Sequence, residues 1–387
     1  MKKRKRIVLS ICMIVVWMVS IAGCGKERSQ GKEKELVVLT DYGLDTAAKM
    51  AADYFMEKNP DVKMRIETIS NSNADAHSAE IKKWNTKMME GEGPDVYLFS
   101  TYYEHITVEE GMEELLIKNV DKTMQSGVFA PLDTYMEEDS FWKESDFNKK
   151  ILEAGKHNQK QYVLPLTCQY FLLTGEDESF LNVQTIEELL KSAVNPHTLL
   201  FVGARWMQPA VDYAEGKVLF DKEKWAEFAT ECFKAHFEKN DNEEGTALWN
   251  IDNTDALSMI ESKNGKALPN LNGDRIAAVK EYGAVGMSSD YKKEAYEFLR
   301  LFLNDEYEKE KGHPILTDKV SWEENPFVLS SYKELDGAYF PLDVERFIYE
   351  EIEKIAFETA EMPADLEEQC KNLSEKIYEK YKMIAEE

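Results

Sequence analysis

The first regular stretch of the chain is a short apolar run at 36–39, followed by Thr40-Asp41-Tyr42-Gly43. An apolar run closed by turn residues predicts a strand. Helical spacing follows: Ala48, Ala51, Tyr54 and Phe55 share one face, with Asp45 placed as N-cap and Asn59-Pro60 as the stop. Residues 62–69 alternate like a second strand, 76–89 predict a second helix ended by Gly91, and 95–99 a third strand after Gly93-Pro94. Strand–helix–strand–helix–strand predicts a parallel sheet wrapped by helices.

Further along, the pattern predicts a strand at 161–166, an apolar segment at 171–173, a helix at 186–193 and a short strand at 199–202. A long helix at 222–239 carries Trp225, Phe228, Ala229, Cys232 and Phe233 on one side. A polar break at 240–245, a short helix at 256–261, a strand at 284–287 and a helix at 293–304 come next. Helices at 344–357 and 366–385 complete an α/β chain in two parts with a helical C-terminal end.

The N-terminus belongs to none of this. Lys2 to Arg6 are all basic, residues 7–23 carry no charge, and Ile21-Ala22-Gly23-Cys24 closes the run. A basic block, an apolar stretch and small residues before a cut describe an export signal. The tetrad resembles the lipobox of bacterial lipoproteins, which implies cleavage after residue 23 and lipid on Cys24. The alternative, an uncleaved anchor, has only 17 apolar residues, the short limit for a spanning helix. Both readings put the body outside the cell. Residues 24–34 are polar and without periodicity, a tether reaching somewhat over ~36 Å when stretched.

Charge narrows the partners. The formal net charge is −26, and removing 1–23 with its five basic residues leaves −31. Phosphates require basic patches, so nucleic acid is excluded as a partner, and anionic lipid repels such a surface. Some 360 residues past the signal exceed one comfortable core and predict two lobes. Cys168, Cys232 and Cys370 are widely spaced and odd in number, which argues against a disulfide framework while leaving one bridge open.

Several segments together carry a resemblance. Glu57-Lys-Asn-Pro-Asp-Val-Lys63, Gly91-Glu-Gly-Pro-Asp-Val-Tyr97, Lys160-Gln-Tyr-Val-Leu-Pro-Leu166 and Lys292-Lys-Glu-Ala-Tyr-Glu-Phe-Leu299 occur in that order. The chain resembles the extracellular solute-binding proteins of ABC importers, in the carbohydrate-binding branch that includes maltose-binding protein. Residues 175–275 depart most, and the family's Thr-Trp start to the helix near 185 is missing. The resemblance implies a two-lobe periplasmic-binding-protein-like fold with a ligand cleft between the lobes. Lobe one is expected at 35–168 and 276–318, lobe two at 169–275 and 319–387. It further implies a monomer on the extracellular face of the cell membrane, partnered by a membrane permease.

A sugar needs aromatic plates for its C–H faces and polar side chains for its hydroxyl rim. At predicted strand ends the sequence offers Asp41 and Tyr42, then Tyr102 and Tyr103 after Ser100-Thr101 and before Glu104, then Gln169 and Tyr170. Arg205 and Trp206, Trp249 in a polar loop, and Tyr282 after Asn270, Asn272 and Asp274 complete the candidates. Trp84, Trp142, Trp225 and Trp322 fit core positions better. Six scattered histidines show no metal spacing, nucleophile and phosphate-loop motifs are missing, and no enzyme or cofactor is implied. The leading expectation is therefore capture of a mono- or oligosaccharide. Two others stand beside it: a cation such as a polyamine held by Asp41, Glu104 and Asp274, and a surface sensor or hydrolase without transport.

Overall fold

A computed structural model describes residues 34–101, 114–145, 147–175, 178–192, 194–238, 249–254, 264–303, 326–359 and 361–386, with Tyr307, 310–311, 313 and 315–316 between. The first third follows the alternating pattern closely: β1 (Lys34–Thr40), α1 (Asp45–Lys58), β2 (Val62–Thr68), α2 (Ala74–Met89) and β3 (Val96–Ser100). β1 pairs in parallel with β2 on one edge and β3 on the other. Two shorter helices, α3 (Val120–Ser126) and α4 (Asp133–Glu138), precede β4 (Val163–Gln169).

β5 (Phe171–Gly175) begins one residue after β4 and lies in a different sheet, between β6 (Trp249–Asn253) and β7 (Gly265–Ala267). β8 (Ile276–Val285) returns to the first sheet, antiparallel to both β3 and β4. β9 (Gly337–Tyr339) then pairs in parallel with the start of β8. Among the described residues the larger sheet therefore has six strands and the smaller three. Gln169 and Tyr339 flank Ala278, so β4 ends, β8 begins and β9 ends on one row of neighbouring strands.

Each lobe has its own core. Leu36, Val38, Leu98 and Val285 pack with Ala48, Ala51 and Phe55 of α1 on one face of the larger sheet, with Phe298 and Phe302 beside them. Leu39, Tyr97 and Tyr282 pack with Ile81 and Trp84 of α2 on the other. The second core is built from α5 (Pro196–Phe201), α6 (Lys222–Glu238), α7 (Asp343–Phe357) and α8 (Leu366–Glu386) around Trp206, Trp225, Phe233 and Tyr381.

Two local departures from the pattern have clear causes. Residues 199–202, expected as a strand, belong to a helical segment that starts at Asn195-Pro196. Asn195 caps it by accepting from the His197 amide at 3.1 Å, and proline suits the first turn. Trp249, expected in a loop, opens strand β6. The expected helix at 256–261 lies outside the described residues. Cys168, Cys232 and Cys370 are free thiols.

Candidate functional site

The carboxyl ends of β1, β3 and β4 form one edge of the larger sheet. Asp41 directly follows β1. Its Oδ1 accepts the Leu44 amide at 3.0 Å and its Oδ2 the Ser100 amide at 2.6 Å. This buried carboxylate caps the helical turn Tyr42–Leu44 and ties the ends of β1 and β3 together. Asp45, expected as the cap of α1, is instead its first residue. Tyr42 turns outward and is 64% exposed.

Along the same edge, Ser100 lies opposite Glu281 of β8, and the Glu281 amide donates to Thr167 Oγ1 at 3.2 Å. Thr101 donates from its amide to the Lys280 carbonyl at 2.8 Å, fixing the chain as it leaves β3. Gln169 closes β4. Arg205 of the second lobe donates to Gln169 Oε1 at 2.6 Å and to its carbonyl at 3.4 Å. The guanidinium carbon sits 4.8 Å from the Phe171 ring centroid. A charge-assisted bond and a stacked ring hold Arg205 in one orientation at the junction of the lobes.

The structure thus puts Asp41 and Gln169 at the same end of the larger sheet with β3 and β8 between them, Arg205 bound to Gln169 and Tyr42 exposed beside Asp41. Other candidates lie elsewhere. Tyr170 is buried, donates its hydroxyl to the Val328 carbonyl at 2.8 Å, and burial pushes its phenol up from the ordinary value. Trp206 is wholly buried, donates from Nε1 to the Leu199 carbonyl at 3.0 Å, and meets Phe228 edge-on at 4.7 Å. Tyr282 is buried between Phe99 and Phe340, 6.4 and 5.7 Å away. These three were expected on the cleft wall and lie in the cores, because each follows a residue whose side chain points the other way or alternates with one in a strand.

Trp249 pairs opposite Gly175, at the end of β5 remote from Phe171 and the junction. It packs on Phe180 at 6.4 Å, and among the described residues its buried Nε1 has no hydrogen-bond partner. Asn270 Oδ1 accepts the amides of Asn272 and Asp274 at 2.8 and 2.9 Å, so this polar run makes the turn before β8. Tyr102, Tyr103, Glu104 and Cys24 lie outside the described residues. Glu281 was missed; its signal is a charged pair, Lys280-Glu281, inside an otherwise apolar strand.

The lobes also touch beside α3. Asn119 Nδ2 donates to the Tyr213 hydroxyl at 3.1 Å, and Gln125 Nε2 to the Tyr213 carbonyl at 3.3 Å. Lys122 Nζ reaches the Ala385 carbonyl at 3.4 Å. A cavity of about 320 Å³ here is walled by Asp121 and Met124 on one side and Gln208, Tyr213 and Leu342 on the other. Burial pushes the Asp121 carboxyl up to about 7 from its ordinary 3.8. Among the described residues no group of three His, Cys, Asp or Glu side chains is placed to hold a metal, and no helix is long and apolar enough to cross a membrane.

Comparison with known proteins gives this architecture a family. The model of bacterial extracellular solute-binding proteins matches residues 41–309. No curated relative matches the chain by sequence. Among solved structures, a family 1 extracellular solute-binding protein of Alicyclobacillus acidocaldarius superposes with a TM-score of 0.56 at 10% identity, over 91% of this chain and 98% of that one. An oligogalacturonide-binding protein of Yersinia enterocolitica gives 0.55 at 16% identity, over 91% and 99%. A substrate-binding protein of Listeria monocytogenes, solved with cycloalternan, gives 0.51 at 15% identity, over 90% and 99%. At these identities the likeness shows the fold, and the family match covers well over half of the sequence. The chain belongs to the bacterial extracellular solute-binding protein family, as a two-lobe, non-catalytic binding component of an ABC importer.

Proposed function

We propose that this protein captures a mono- or oligosaccharide between its lobes and hands it to a membrane permease, while lipid on Cys24 keeps it at the outer face of the membrane. The observation that carries the sugar reading is the junction group. Arg205, oriented by Gln169 and Phe171 at the end of β4, and the exposed Tyr42 ring, set by the Asp41 cap after β1, lie at the same end of the larger sheet. An aromatic face with fixed polar donors suits a ring of C–H groups rimmed by hydroxyls, and unmatched buried hydroxyls would cost about 1–3 kcal/mol each. The Listeria protein solved with cycloalternan and the Yersinia oligogalacturonide-binding protein support the same class. A cationic ligand is favoured less, because Asp41 accepts from two amides and Arg205 adds positive charge at the edge.

The test is a calorimetric screen of neutral and acidic oligosaccharides. A ligand at about 1,000 times its Kd stabilises by about 4 kcal/mol, which also appears as a raised melting temperature. Arg205→Ala is expected to weaken a binding sugar about tenfold, or 1.4 kcal/mol. A screen in which only cations shift the melt refutes the sugar assignment. Cys24→Ala is expected to release or mislocalise the protein while leaving affinity unchanged; incorporation of labelled lipid into the variant as into the parent would refute attachment at Cys24.

A further inference from the structure

The contact beside α3 is presented by a rigid piece on each lobe. Asn119 caps α3 by accepting the Lys122 amide through Oδ1 at 3.0 Å, which leaves Nδ2 to donate to the Tyr213 hydroxyl of the second lobe. Further along the helix, Gln125 donates to the carbonyl of the same tyrosine. Lys122 reaches the Ala385 carbonyl in the last turn of α8, the end of a helix that favours a cation. Tyr213 sits in a tight turn. Asp212 Oδ1 accepts the amides of Ala214 and Glu215 at 2.9 and 3.1 Å, and Val211 and Asp212 pair with Val218 and Lys217 across it. Drawing the lobes apart here would break all three bonds together.

Asp121 lies between Asn119 and Gln125 on α3 and lines the cavity that both lobes wall. The charges around it are engaged elsewhere. On its own helix Lys122 bonds the Ala385 carbonyl; in the hairpin at 156–161 Lys156 pairs with Glu153 at 2.5 Å and His157 meets Asn158 at 2.8 Å. The second lobe supplies the Asp212 carboxylate and the Tyr213 phenol. α7 supplies Glu345, which accepts from the Tyr339 hydroxyl at 2.8 Å, and α8 the Tyr381 phenol, bonded to Gln208 at 2.8 Å. Among the described residues no cation is paired with Asp121. Burial first, and Asp121 second, push the Tyr213 phenol up, so the two groups sense each other across the contact. A carboxylate placed in this way ionises more readily once the lobes part and water reaches it.

We propose that α3 and the Tyr213 turn form a clasp that holds the lobes together while Asp121 is protonated and lets them part once it ionises. The clasp is read in the ligand-free protein, so it stands apart from the sugar assignment. Asp121 holds its proton more tightly with the lobes in contact, so the contact is strongest below about pH 4 and weakens as pH rises to about 7. The rise of its acid from 3.8 to about 7 bounds the change in the ratio of joined to parted lobes at about a thousandfold. Asp121 is half-buried, and the water still reaching it screens the effect, so at least about tenfold is expected between pH 5 and pH 8.

Small-angle X-ray scattering of the ligand-free protein at those two pH values is the test. The parent is expected to be compact at pH 5 and to show a larger radius of gyration at pH 8. Asp121→Asn should be compact at both. The double variant Tyr213→Phe with Gln125→Met, which lacks the hydroxyl acceptor and the amide donor, should show the larger radius at both. A parent radius that does not change with pH overturns the clasp. So does an Asp121→Asn protein that keeps the parent's pH dependence, or a double variant as compact as the parent at pH 5. Far-ultraviolet circular dichroism of each sample separates parted lobes from lost fold.

Discussion

Asp41 and Asp133 are two carboxylates of the first lobe, each at the start of a helical turn, and they differ in where their lone pairs go. Both oxygens of Asp41 receive backbone amides, one from its own turn and one from the neighbouring strand end. Asp133 receives one amide through Oδ1, at 3.3 Å, and, among the described residues, none through Oδ2. The same residue type is thus a joint in one place and a half-matched acceptor in the other. Asp41 is the more buried of the two, and the donors within its reach are what match it.

The largest test of that contrast is Asp41→Ala. It leaves the Leu44 and Ser100 amides unmatched and is expected to cost about 4 kcal/mol in denaturant-monitored stability, about 2 per amide. A loss below about 1 kcal/mol together with abolished ligand binding would make Asp41 a ligand group and erase the comparison.

Asp121 asks whether a third carboxylate, half-buried beside the cavity where the lobes touch, follows the first pattern or the second. Its folded pKa of about 7 lies above the ordinary 3.8, so between those values the folded chain holds a proton the unfolded chain has released. Stability therefore falls as pH rises from about 4 to about 7. Asp121→Asn should be more stable than the parent by about 3 kcal/mol at pH 8, with the difference gone by about pH 3. Equal pH profiles would show a donor at Asp121 that stabilises the anion.

Neighbours Arg205 and Trp206 sharpen the comparison at the level of side-chain direction. Trp206→Phe removes the bond to the Leu199 carbonyl and part of the core, for about 2 kcal/mol of stability and no change in ligand affinity. A changed affinity would place Trp206 on the cleft after all. The smallest effect belongs to Asp133→Asn, expected to be neutral or stabilising by up to about 1 kcal/mol, the opposite sign to Asp41.

Much of the fold was legible because its elements advertise their own periods. β1, β2, β3 and the helices around them follow alternation or helical spacing almost to the residue, and the long C-terminal helices do the same. The strand expected at 199–202 failed although Asn195-Pro196 carried a helix start, because a run of four apolar residues fits either element when fully buried. At the site, strand ends identified the right places but not the right faces. Gln169 faces Arg205, while Tyr170 one residue later faces Val328, 158 residues away in sequence. Nothing local to the sequence states which of two adjacent aromatic or polar side chains a distant segment will cover. Asn119 and Tyr213 were missed for the same reason, since their contact joins residues 94 apart in sequence.

Gln169, Ala278 and Tyr339, beside which β4 ends, β8 begins and β9 ends, sit side by side on adjacent strands. Strands in a sheet are about 4.8 Å apart, so these attachment points fall nearly on a line about 10 Å long. Two bodies joined along a line keep one easy relative freedom, rotation about it, as a door does. Twisting and sideways sliding would stretch one passage against another. If a sugar closes the lobes as proposed above, it has a single coordinate to arrest, and the closed surface it leaves is nearly the same each time.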